Sequence, residues 1–77
     1  MNNATTTDGR MTTTTFGAAH NETASLHHNT AALAAWAADR RAAWAFMRSQ
    51  DDLGNSAGYP VQVGGVWTVK AIDWSLA

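Results

Sequence analysis

The stretch "YPVQVGGVWTVKAIDW", residues 59–74, decides how the rest of the chain is read. Two β-rich runs flank Gly64-Gly65, and a two-residue glycine loop between such runs is a hairpin signal. The strands are expected at about 59–63 and 66–73. In the register set by this turn, Val63 faces Val66, Gln62 faces Trp67 and Val61 faces Thr68. One face then carries Val61, Val63, Val66, Thr68 and Ile72, and the other carries Pro60, Trp67, Val69 and Ala71. Neither face is properly polar. Pro60 cannot donate to a ladder and marks an edge. A lone hairpin is marginal in water, so something else in the chain must cover it.

The cover lies just upstream. Residues 24–50 contain no proline or glycine and are rich in alanine, the best helix former. A helix is expected over about 24–50. Asn21, Thr23, Ser25 and Thr30 are all candidate N-caps, and none has Glu or Gln three positions on to complete a capping box. The stop is clearer, because Leu53-Gly54-Asn55 offers a glycine suited to a left-handed C-cap. At about 100° per residue, Leu26, Leu33, Trp36, Ala37, Trp44 and Met47 share one arc, the expected core face. Ala35, Ala38, Ala42, Ala45, Phe46 and Ser49 share the opposite side. A helix apolar on two sides is normally buried or partnered, so either a homodimer packed through Ala38, Ala42 and Ala45 or a foreign partner docking on that side is expected. Exposed alanine used simply as a helix former is the alternative.

Residues 1–22 are rich in Thr, Asn and Gly and read as a flexible arm with a turn at Asp8-Gly9. Within it, "MTTTTF" is β-branched and suits a short strand at 12–16. The fold class is therefore α+β. One long N-terminal to central helix packs on a C-terminal antiparallel hairpin, widened to three strands if 12–16 joins it. The domain proper is residues 23–77.

Seventy-seven residues allow one small domain. With no cysteine, neither a disulfide nor a thiolate metal site can staple it. The net charge of −1 argues against a generally basic nucleic-acid binder and against an acidic mimic. No run reaches the ~18 apolar residues of a membrane span. The N-terminus lacks a signal-peptide apolar core. Sixteen alanines, with four arginines against one lysine, suggest a GC-rich bacterial host, with the protein in its cytoplasm.

Catalytic and cofactor motifs are not found. His20, His27 and His28 lack the further ligands and fixed geometry that zinc requires. No Ser or Thr has a base and orienter at a convincing spacing. Gly64-Gly65 is a turn and not a phosphate loop. No enzyme, metal or cofactor is expected.

What stands out is "WAADRRAAW", residues 36–44. Arg40 is four residues from both Trp36 and Trp44, so all three are neighbours on a helix. Arg40 is expected to stack on the indoles at the core margin and reach water with its head. Pairing with Asp73, or presenting its cation to an external anion, are the alternatives. Arg41 and Arg48, with Trp44, make a separate strip that could meet phosphates and bases. Trp and Arg dominate interface hot spots. The expected partner-binding set is thus Trp36, Arg40, Arg41, Trp44 and Arg48, with Trp67 and Trp74 on the hairpin. The expected function is a small non-enzymatic interaction module. A phage or mobile-element protein that binds and inhibits a host protein complex, as small anti-CRISPR inhibitors do, fits its size and composition. A nucleic-acid-associated protein and a homo-oligomeric accessory subunit are the alternatives.

Overall fold

A computed structural model describes residues 3–20 and 29–76. The order is β1 (Asn3–Asp8), β2 (Met11–Phe16), α1 (Thr30–Asp52), β3 (Ser56–Ala57), β4 (Val61–Val63) and β5 (Val66–Ile72). All strand pairs are antiparallel. The sheet runs β1-β2-β5, and β3 and β4 share the far side of β5. The fold is α+β. Its helix sits mid-chain, after two strands, and its sheet is larger than the hairpin expected from the sequence.

The C-terminal hairpin has the expected register: Val61 with Thr68, Gln62 with Trp67, Val63 with Val66. Gly64 and Gly65 both have positive φ, 58° and 82°. That combination defines the type I′ turn, whose twist matches the strands it joins. Of the two apolar faces, the helix covers the one carrying Trp67, Val69 and Ala71, all buried. Val61 and Val63 remain exposed on the other.

The N-terminal segment departs from the flexible arm expected of it. Residues 3–16 form a second hairpin, in which β1 pairs with β2 along its whole length and β2 pairs with β5. Its turn is Gly9-Arg10, with Gly9 at φ 61° and Arg10 in the ordinary negative range, as in a type II′ turn with glycine first. Threonine supplies the strand preference, and Thr14 and Phe16 supply the buried anchors. Phe16 lies opposite Trp67, and Thr14 opposite Val69. The folded unit therefore includes residues before 23, because β2 is the central neighbour of β5.

The helix opens on Asn29, whose side-chain oxygen accepts from the Ala32 N–H at 3.1 Å. The expected starts at Asn21, Thr23 and Ser25 lie outside the described residues, as do Leu26 and the rest of 24–28. At the other end Gly54 takes φ 83°. Its N–H donates to Asp51 O, and the Asn55 N–H donates to Gln50 O. These are the two bonds of a Schellman stop, reinforced by Asn55 Nδ2 donating to Gln50 Oε1 at 2.8 Å.

The helix is rolled by roughly 80° from the face the sequence favours. Its buried positions are Asp39, Ala43 and Met47. Leu33 is exposed, and Trp44 is half-buried. The reason is steric. Ala43, at 0% exposure, lies in the core with Phe16, Met47, Trp67 and Val69. Ala43 sits between Asp39 and Met47 on the buried line, and close packing leaves no space beyond its methyl group at that point. The larger Trp36, Trp44 and Phe46 are partly buried and pack against this core. Ala38 and Ala42 are half-buried within the chain's own fold, and of the expected alanine seam only Ala45 is exposed.

Candidate functional site

Rolling the helix separates Asp39 from Arg40. Asp39 turns inward. Its carboxylate Oδ2 accepts from His20 Nε2 at 2.6 Å, and both side chains are nearly buried. Gly17 passes so close that a Cβ there would sit 2.1 Å from Asp39 Oδ2, and its φ of 73° also disfavours a side chain. The His20 N–H donates to Gly65 O at 2.9 Å, while a Cβ on Gly65 would lie 2.7 Å from His20 O. The segment 17–20 is thus threaded between α1 and the β4–β5 turn. Two glycines make room for it, and the His–Asp pair holds it. A buried carboxylate requires such a partner. The pair is the only side-chain ion pair among the described residues.

Arg40 turns outward and is exposed. The expected sandwich between two indoles is not formed. The guanidinium lies 5.8 Å from the Trp44 ring centroid. Trp36 instead tilts against Trp67 at 5.7 Å, and its Nε1 donates to Gln62 Oε1 at 3.3 Å. Asp73 is occupied elsewhere, accepting from the Ser75 N–H and hydroxyl.

Arg40, Arg41, Trp44 and Arg48 line one open groove of about 390 Å³. Helical spacing brings them together, since residues three and four apart are surface neighbours. Trp44 is half-buried, which fixes the floor, and Tyr59 packs against it with the rings tilted by 40° and 5.7 Å between centroids. Asp51 and Asp52 stand one turn beyond Arg48 but form no ion pair with it. The groove therefore presents three guanidiniums and a flat aromatic surface, with no carboxylate within ion-pair distance among the described residues. Guanidinium forks suit carboxylates and phosphates, and an indole face adds stacking.

The remaining expected contact residues fall elsewhere. Trp36 and Trp67 belong to packing, at the edge and centre of the core. Trp74 is exposed and lies near the β1–β2 turn. Its indole has the Arg10 guanidinium 6.0 Å from the ring centroid, and its Nε1 donates to Ser56 Oγ at 3.4 Å. Arg10 Nε also donates to Leu76 O at 2.9 Å, tying the end of the chain to the N-terminal hairpin. Sequence reasoning missed Tyr59, whose only signal was an aromatic beside Pro60. It also missed Asp39, whose signal would have been a carboxylate at i−4 from the central Ala43.

Among the described residues no group of three metal-ligating side chains occurs, and His27 and His28 lie outside them. Among the described residues no helix is long and apolar enough to cross a membrane. No protein-family model, curated protein or solved structure matches the chain.

Proposed function

We propose that this chain is a small non-enzymatic interaction module that docks its Arg40/Arg41/Trp44/Arg48 groove on an acidic surface of a larger protein assembly. The observation that carries the reading is three exposed guanidiniums grouped around a supported tryptophan, with no carboxylate within ion-pair distance of them among the described residues. Surface arginines are commonly balanced by neighbouring acids, and an unbalanced group beside an aromatic anchor has the composition of an interface hot spot. Charge at its rim would speed encounter, while Trp44 and Tyr59 would supply the desolvated contact. Small size, the lack of a recognisable catalytic motif and the Ala- and Arg-rich composition support placing the module in a phage or mobile element. There it would act by occupying a working surface of a host complex.

The test is affinity purification from a GC-rich bacterial lysate with the wild-type chain and the Arg41→Ala/Arg48→Ala and Trp44→Ala variants. A partner held by the wild type and lost by both variants supports the groove. Equal recovery by all three refutes it. A second reading, single-stranded nucleic acid, is favoured by the same pairing of guanidinium and stacked aromatics. Anisotropy titration of a labelled single strand separates the two. Binding that weakens steeply with salt and is abolished in the Arg variant would favour nucleic acid.

A further inference from the structure

We infer that the outer edge of β1 is a self-association surface, where a second copy of this chain adds antiparallel to make one continuous sheet. The inference is independent of the groove. It starts from the unequal treatment of the two sheet edges. On the far side of β5, the edge is split into strands of two and three residues, with Gly58-Tyr59-Pro60 between them. Short strands and proline are ordinary guards against strand addition. On the near side, β1 is six residues long, without proline or lysine, paired residue for residue to β2, and exposed along its whole length. Among the described residues only β2 pairs with it. An unguarded edge of this kind is a template for another strand.

The sequence of β1 fits itself. The two-residue turn makes Asp8 and Met11 a hydrogen-bonded pair, with the Asp8 carbonyl accepting from the Met11 N–H. Alternation then directs the backbone groups of Ala4, Thr6 and Asp8 toward β2. Thr15 Oγ1, which donates to Ala4 O at 3.4 Å, is consistent with this. Asn3, Thr5 and Thr7 are left with outward-facing N–H and C=O groups. A two-fold axis perpendicular to the sheet, passing beside Thr5, pairs Thr5 with the second copy's Thr5. It also pairs Asn3 with the second copy's Thr7, and Thr7 with its Asn3. Every outward backbone group of these residues then has a partner.

Side chains agree with this register. Ala4 meets Thr6 of the second copy, and no large or like-charged residues oppose each other. The two Asp8 carboxylates lie at opposite ends of the seam. The existing Thr5–Thr14 hydroxyl contact at 3.0 Å extends into a four-threonine row across the axis, a cross-strand pairing of favourable type. Because the other edge is guarded, addition stops at two copies, a closed two-fold dimer. A single pair of short strands makes a small interface, so the association is weak and concentration-dependent.

Sedimentation equilibrium of the full chain, from low micromolar to near-millimolar concentration, tests this with a charge swap at the axis. Wild type is expected to pass from monomer to dimer. Thr5→Lys alone and Thr5→Glu alone are each expected to weaken association at least about tenfold, since like charges then face each other. Their equimolar mixture is expected to recover it. Thr7→Pro, which removes one outward N–H and leaves the bonds to β2, is expected to weaken association while keeping the unfolding midpoint. Wild type that stays monomeric throughout, charge variants that dimerise as wild type does, or a mixture no stronger than its components would overturn the proposal. Loss of association in Ala45→Glu, with none in the Thr5 variants, would move the seam to the helix.

Discussion

Asp39 and Arg40 are adjacent in sequence and opposite in environment, and the two sides of α1 that they mark handle charge in opposite ways. On the inner side, a carboxylate is paired with His20 at 2.6 Å and enclosed by Gly17 and the β4–β5 turn. On the outer side, three guanidiniums share a groove with Trp44, and no carboxylate among the described residues pairs with them. Burial without a partner is costly, so the inner charge is internally satisfied. Water satisfies the outer charges cheaply, so they remain available. The contrast teaches that a charged residue in a small protein is informative through its surroundings. A hydrogen-bonded inner charge serves the fold, and an outer group without such a partner is where an external one is sought.

The comparison breaks first at Gly17. Gly17→Ala places a methyl group in the Asp39 carboxylate and demands positive φ of an L-residue. The expected loss is about 4 kcal/mol, the sum of an αL penalty and a disrupted buried pair. Urea unfolding measures it, and a loss below about 1 kcal/mol would mean the connection is not clamped. Next comes His20→Ala, which strands the carboxylate and is expected to cost about 3 kcal/mol. His20→Ala combined with Asp39→Leu should recover part of that loss, because the uncompensated charge is then gone. At the contact line, Ala43→Leu is expected to cost about 2 kcal/mol by overpacking against Val69 and Phe16. Thermal unfolding would show whether the helix instead has slack at this point. The outer side sharpens the contrast by its smallness. Arg41→Ala and Arg48→Ala are expected to change stability by less than about 0.5 kcal/mol, as surface substitutions do, while removing partner binding.

How much of this was legible in the sequence follows the strength of local signals. The Gly64-Gly65 turn fixed the register of β4 and β5, since a two-residue loop leaves no freedom to slip. Gly54 marked the helix stop for an equally local reason. The N-terminal hairpin carried a comparable signal in Asp8-Gly9-Arg10. The flanking threonines, however, lack the apolar alternation by which a half-buried strand is recognised, and only Phe16 and Thr14 become buried. The helix face was misplaced because hydrophobic weight draws the arc toward the tryptophans. Close packing instead put the small Ala43 at the centre and left Asp39 beside it. Asp39 could not be read as an inward residue without its partner, and His20 lies nineteen positions away with nothing local to connect them. The groove was half legible: spacing grouped Arg41, Trp44 and Arg48 and placed Arg40 beside Trp44, while the outward turn of Arg40 and the contact of Tyr59 with Trp44 came only with the docked helix.

The most direct measurement is urea unfolding of Asp39→Ala and Arg40→Ala side by side with wild type. With Asp39 inside, its removal leaves His20 nearly buried without its acceptor and is expected to cost about 2 kcal/mol. With Arg40 outside, its removal is expected to leave the midpoint within about 0.5 kcal/mol of wild type. A stable Asp39→Ala together with a destabilised Arg40→Ala would contradict the helix placement on which the inner lock and the outer groove both depend.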